Sequence, residues 1–222
     1  NIISSNAGVI ENLFVQYVAP NVNAWCGFVG RNSGTVKNVL VDITLGTNIS
    51  GGYAQCNGTV VCANMSGGKV NNCIGSVNVG ENSRSQQYGS VIGTNYTGTL
   101  SIVNCYGLLN GMTQVYESNG TGVVNSFTHA DNVKVSVKDC ANFNSSDEFI
   151  KSDVSFDSVN GWSEFWKKGN VTIAFGDEYI GFMDVGSVEY SKLNDTEEKG
   201  ITYDFASVTK EQINSANFND VA

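Results

Sequence analysis

The chain has 222 residues, 41% hydrophobic and only 15% charged, with 12 Lys and Arg against 21 Asp and Glu for a net charge of −9. That length and apolar content support a core in one elongated domain or two small ones. An acidic chain without a basic patch argues against nucleic-acid or anionic-lipid binding, and no apolar run is long enough for membrane insertion.

From the amino end, six segments carry one short phrase: a β-branched residue, a spacer, then Asn or Asp. They are Ile10-Glu11-Asn12, Val36-Lys37-Asn38, Val70-Asn71-Asn72, Ile102-Val103-Asn104, Val123-Val124-Asn125 and Val137-Lys138-Asp139. A Gly-containing turn precedes the first five, as in Asn32-Ser33-Gly34. Repetition at a few tens of residues is the mark of a stacked, quasi-one-dimensional fold. The β-branched position favours strand. After the Asn come two apolar positions in a row, Val39-Leu40, Cys73-Ile74 and Cys105-Tyr106 among them, which breaks strand alternation. A bend at the Asn repairs it, because Asn tolerates the left-handed conformation. Stacked layers then place Asn12, Asn38, Asn72, Asn104 and Asn125 in an amide ladder. The column Phe14, Leu40, Ile74, Tyr106 and Phe127 is either core or a lateral interface. Further apolar patches, Phe28-Val29, Val60-Val61-Cys62 and Val91-Ile92, predict a second strand in each repeat.

Six cysteines stand at Cys26, Cys56, Cys62, Cys73, Cys105 and Cys140, none in C-x-x-C spacing. Extracellular disulfides suit them better than metal ligation. Cys73 and Cys105 share a repeat phase, and adjacent parallel strands lie about 4.8 Å apart, so this pair is the first candidate. Cys26 with Cys56 or Cys62 is the next, and a stack of buried free thiols is the other reading. Asn-x-Ser/Thr sequons occur at Asn48, Asn57, Asn64, Asn95, Asn119, Asn144, Asn170 and Asn194. Asn64, Asn95 and Asn119 fall in the turn before the repeat phrase, which predicts a column of glycan acceptors, although Asn also suits tight turns by itself. With no initiator Met and no signal sequence, the chain reads as a processed or truncated secreted protein, extracellular or at a cell surface.

The segment Gly27-Phe28-Val29-Gly30-Arg31-Asn32-Ser33-Gly34-Thr35-Val36-Lys37-Asn38-Val39 resembles the GLUG-motif repeats of cell-surface and adhesin-like proteins. Gly89-Ser90-Val91-Ile92-Gly93-Thr94-Asn95-Tyr96-Thr97-Gly98 with Val103-Asn104-Cys105-Tyr106 looks like a second copy. Val61-Cys62-Ala63-Asn64-Met65-Ser66-Gly67-Gly68 before Asn72-Cys73 is a third, with Ala63 in place of the motif Gly. The resemblance covers roughly residues 1–142. It implies a parallel β-solenoid with a surface, adhesive or structural role, and brings no catalytic residues.

Residues 142–222 do not repeat the phrase and hold most of the negative charge. Ser145-Ser146-Asp147-Glu148 fits a capping box, and so does Thr209-Lys210-Glu211-Gln212. Val171–Phe175 and Ile180–Met183 read as strands around a Gly176-Asp177 turn. Trp162 and Trp166, four apart, suit either a buried helix face or a sugar-stacking platform. Asp177-Glu178 and Asp195 with Glu197-Glu198 read as solvated surface rather than a calcium loop.

His129 is the only histidine, so a triad or zinc centre would have to be built on it alone. The repeats hold only Glu11, Asp42, Glu81 and Glu117, in different phases, so no acid/base carboxylate pair is visible. The expectation is an all-β parallel solenoid over residues 1–141, with a smaller mixed acidic region over 142–222. It serves as a non-enzymatic, cofactor-free, glycosylated building block of an extracellular filament or coat, with copies of itself as partner. The alternatives are an adhesin module for glycan or host protein and, third, a polysaccharide-degrading β-helix.

Overall fold

The structure is a computed structural model describing residues 1–21, 25–48, 56–79, 88–95, 97–110, 134–169 and 172–182. These residues belong to one compact unit, Asn1–Val188; a second unit, Glu189–Ala222, lies outside the described residues.

The strands in chain order are β1 (Ile3–Asn6), β2 (Val9–Asn21), β3 (Trp25–Cys26), β4 (Val29–Asn32), β5 (Thr35–Asn48) and β6 (Cys56–Gly58). They continue with β7 (Val61–Asn64), β8 (Lys69–Val79), β9 (Tyr88–Gly89), β10 (Ile92–Asn95), β11 (Thr99–Val103) and β12 (Tyr106–Leu108). Then follow β13 (Lys134–Lys138), β14 (Ala141–Phe143), helix α1 (Ser146–Lys151), β15 (Trp166–Lys168), β16 (Ile173–Phe175) and β17 (Glu178–Tyr179). The protein is mostly β, and three of its sheets are parallel. One sheet runs β1-β4-β7-β10, a second β3-β6-β9, and a seven-stranded third stacks β2, β5, β8, then β11 with β12, then β13 with β14. From β3 to β12 the chain visits the three sheets in the same order on each pass. Register is uninterrupted between β5 and β8, with Val36 beside Val70 and Leu40 beside Ile74, and between β2 and β5 it shifts only near the end, between Ala19 and Asn21.

The bend at the repeated Asn is present. Asn12, Asn38, Asn72, Asn104 and Asp139 all adopt φ between 50° and 56°. In a straight strand Val36 and Val39 would face opposite ways. The left-handed residue between them reverses the alternation. Val36, Val70 and Ile102 therefore enter the main core together with Val39, Cys73 and Cys105. The next residues, Leu40, Ile74 and Tyr106, are turned to a second core. The turns before the second and third phrases are tight as well: a Cβ on Gly34 would collide with the Gly8 carbonyl, and one on Gly68 with the Asn32 carbonyl, of the preceding layer.

The second core decides between two readings of the column. Leu40, Ile74 and Tyr106 are covered by Phe149, Trp162, Trp166 and Ile173, and Phe14 packs against them, so these four are core rather than a lateral interface; Phe127 lies outside the described residues. The compositional change at Ala141 falls inside the compact unit Asn1–Val188. Charge content changes there, but the apolar surface on either side is buried jointly. α1 starts at the expected cap: Ser145 Oγ accepts from Glu148 N at 3.1 Å, and Glu148 reaches back to Asn144 N at 2.7 Å. The strand expected at Ile180–Met183 is instead Glu178–Tyr179, pairing antiparallel with β16 across the Gly176-Asp177 turn. No described helix is long and apolar enough to cross a membrane.

Candidate functional site

Two amide ladders run across the layers. In the first, Asn72 Nδ2 donates to Asn38 Oδ1 at 3.4 Å and Asn104 Nδ2 to Asn72 Oδ1 at 3.3 Å. Each of these later layers thus donates to the earlier one; Asn12, expected as the first member, is not joined to Asn38, and its buried Oδ1 has no hydrogen-bond partner. The cover layer joins in, because the Asn160 carbonyl accepts from Asn72 at 3.2 Å and Asn104 at 2.8 Å. Asn125, expected as the next member, lies outside the described residues. The layer after Asn104 is instead supplied by Asp139, because β13 pairs directly with β11, Val137 beside Ile102.

The second ladder was not anticipated. Asn6 Nδ2 donates to Asn32 Oδ1 at 2.9 Å, and Asn32 Nδ2 to Asn64 Oδ1 at 3.0 Å, with Asn95 in register beside Asn64. Here earlier layers donate to later ones, opposite to the first ladder. The same amide nitrogens also tie the turns, to Thr35 O and Lys69 O at 3.3 Å each. Asn64 is fully buried, and its Nδ2 donates to Gly68 O at 3.3 Å. A glycan has no room on that nitrogen, so Asn64 is not the exposed acceptor its sequon suggested. The signal was in the sequence: Asn32 occupies the same phase without being a sequon. Among the other sequons Asn144 is exposed. The side chains of Asn48, Asn57 and Asn95, and the whole of Asn119, Asn170 and Asn194, lie outside the described residues.

Trp162 and Trp166 are 4% and 2% exposed. Their rings pack edge to face 6.3 Å apart, and Phe156 sits 4.4 Å from Trp162. Buried faces cannot stack a sugar, so this pair is core rather than a glycan platform. It is not a helix face either, since Trp166 opens β15.

Cys73, Cys105 and Cys140 occupy one column as free thiols, and Cys62 is a buried free thiol. Instead of the expected Cys73–Cys105 bond, Cys73 Sγ donates to Asn71 O at 3.2 Å and Cys105 Sγ to Val103 O at 3.3 Å. Cys105 N donates to Cys140 Sγ at 3.3 Å. Burial pushes the Cys105 thiol well up, while the hydrogen bond from Cys105 draws Cys140 down. The side chains of Cys26 and Cys56, and all of His129, Glu81, Glu117 and Asp195–Glu198, lie outside the described residues.

Asp42 is wholly buried, held by Gln16 Nε2 at 2.8 Å and Asn78 Nδ2 at 3.0 Å. Two neutral amides on a buried carboxylate make a structural anchor between layers. Glu11 pairs with Lys37 at 2.7 Å, in register, on the surface. Among the described residues no group of three or more His, Cys, Asp or Glu could hold a metal.

The two margins of the seven-stranded sheet remain. At one, among the described residues, β2 pairs with β5 alone. Val9 and Leu13 on it are 62% and 37% exposed. At the other lie β13 and β14, with the side chains of Lys138 and Asp139 at 75% and 58% exposure. Comparison with known proteins finds no matching family model, no matching curated protein and no matching solved structure.

Proposed function

We propose that the chain is a structural subunit of an extracellular filament or surface coat, a parallel β-solenoid whose layers continue from one copy to the next. The observation that carries this is the margin at β2, unpaired among the described residues. Edge strands are normally shortened, bulged, broken by proline or studded with lysine to prevent pairing. β2 runs 13 residues; its register shift and Pro20 are confined to the end between Ala19 and Asn21, and the stretch from Val9 to Ala19 bears a single charged side chain, Glu11. A sheet margin of that kind is a template for another parallel strand. Repetition of the same contact without closure gives a filament. The in-register layers, the three-sheet circuit and the two amide ladders support the solenoid geometry, and the GLUG-like motifs support a surface role.

The adhesin alternative loses its aromatic sugar platform, because Trp162 and Trp166 are covered. Among the described residues the polysaccharide-enzyme alternative gains no carboxylate pair in the repeats, because Asp42 is sealed and Glu11 is tied to Lys37. Exposed Asn144 is the described sequon that suits a glycan. Imaging the undenatured protein by electron microscopy over a concentration series tests the proposal. Ordered filaments are the expected result, and dispersed monomers at every concentration would refute it.

A further inference from the structure

Resting on that filament reading, we propose which margins join: β2 of one copy pairs in parallel with the β13–β14 margin of a second copy, in the repeat register. Both margins belong to the same sheet, and across the repeat phrase every step between them is parallel and in phase. Adding one more step sets Glu11 of the incoming copy over Lys138, Asn12 over Asp139 and Leu13 over Cys140.

Each of these three contacts is complementary. The Glu11–Lys138 contact would repeat the charge pair that Glu11 and Lys37 already form between neighbouring layers at 2.7 Å. In the first amide ladder the later layer donates and the earlier accepts. Asp139 lies at the late margin and, as a carboxylate, can only accept. Asn12 lies at the early margin, half-buried, with its Oδ1 buried and without a hydrogen-bond partner, so it closes no ladder step with Asn38. Its Nδ2 is a donor. An incoming Asn12 therefore brings a donor to the charged acceptor Asp139, in the later-to-earlier direction of the first ladder. Leu13, 37% exposed, would lie against half-buried Cys140, in the column where Val39, Cys73 and Cys105 are packed inside one chain. Asp in the sixth phrase, where the other phrases have Asn, is thereby explained: it ends the ladder within a chain and receives the next one.

The test uses the native thiol. A Leu13→Cys chain is assembled and then oxidised with copper-phenanthroline and oxygen. The two thiols lose two protons and two electrons, which the oxidant takes, and one S–S bond forms to Cys140 of the neighbouring copy. The expected result is a ladder of covalent oligomers on non-reducing gels. It collapses on reduction and is absent in Leu13→Cys/Cys140→Ser. As an independent variant, Lys138→Glu is expected to raise the protein concentration needed for assembly at least tenfold at low salt. Filaments that form with no cross-link and no effect of Lys138→Glu would overturn this interface while leaving the filament reading intact. A protein that stays monomeric throughout would overturn both.

Discussion

The indole Nε1–H of Trp166 donates to the backbone carbonyl of Asn38 at 3.0 Å, joining residues 128 positions apart. Asn38 is itself a left-handed bend residue, and its Oδ1 accepts from Ser163 N at 3.3 Å. The cover layer therefore grips the repeats at the point where their strands turn. This contact makes the carboxy-terminal aromatics part of the repeat core.

Trp166→Ala is expected to destabilise the protein by about 3–5 kcal/mol, the range for emptying a large aromatic site. Trp166→Phe keeps most of the apolar contact but strands the Asn38 carbonyl, at about 1–2 kcal/mol. Urea unfolding of both variants measures this order. A Trp166→Ala protein of unchanged stability would mean that the ring is not core.

Much of the repeat architecture was legible because its causes are local. The β-branched residue, the Asn that tolerates the left-handed region and the Gly before it each act within a few positions, so Val36 to Leu40 predicted their own bend. The cover was not legible. Trp162 and Trp166 at four-residue spacing look helical, and nothing nearby shows that Leu40, Ile74 and Tyr106 are their partners. Asn64 failed for another reason. A sequon and a ladder amide use the same side chain, and only Asn32 in the same phase distinguishes them. Asp139 was visible as a phrase, but Asn125 competed for its place until strand pairing between β11 and β13 decided between them.

Asn72 supplies both a left-handed backbone and a ladder amide, and the two contributions separate. Asn72→Gly keeps the conformation and removes the hydrogen bonds, with a loss of about 1–2 kcal/mol. Asn72→Ala adds left-handed strain of about 1 kcal/mol on top. Chemical denaturation should rank wild type above the glycine variant and the glycine variant above alanine. Equal stability of the two variants would remove the backbone argument.

Glycan occupancy should follow exposure. In a glycosylating secretory host, peptide mapping of the folded product is expected to find a glycan on Asn144 and none on Asn64. Asn64→Gln should lower stability by about 1–3 kcal/mol through its broken, buried hydrogen bonds, without changing glycan mass. A glycan on Asn64 in folded protein would contradict the second ladder.

Cys140 should be the reactive thiol of its column. It is half-exposed, and the hydrogen bond from Cys105 favours its thiolate, whereas burial disfavours that of Cys105. Limited maleimide labelling of native protein, read residue by residue by mass spectrometry, is expected to modify Cys140 at least tenfold faster than Cys62, Cys73 or Cys105. Equal rates would show that the column is open to solvent.

In the proposed filament, layer stacking inside one chain continues between chains, and fibre diffraction from aligned native assemblies reads that continuation. Continuous parallel layers predict a strong reflection near 4.8 Å along the filament axis. Filaments lacking that axial reflection, or with it perpendicular to the axis, would contradict end-to-end sheet continuation.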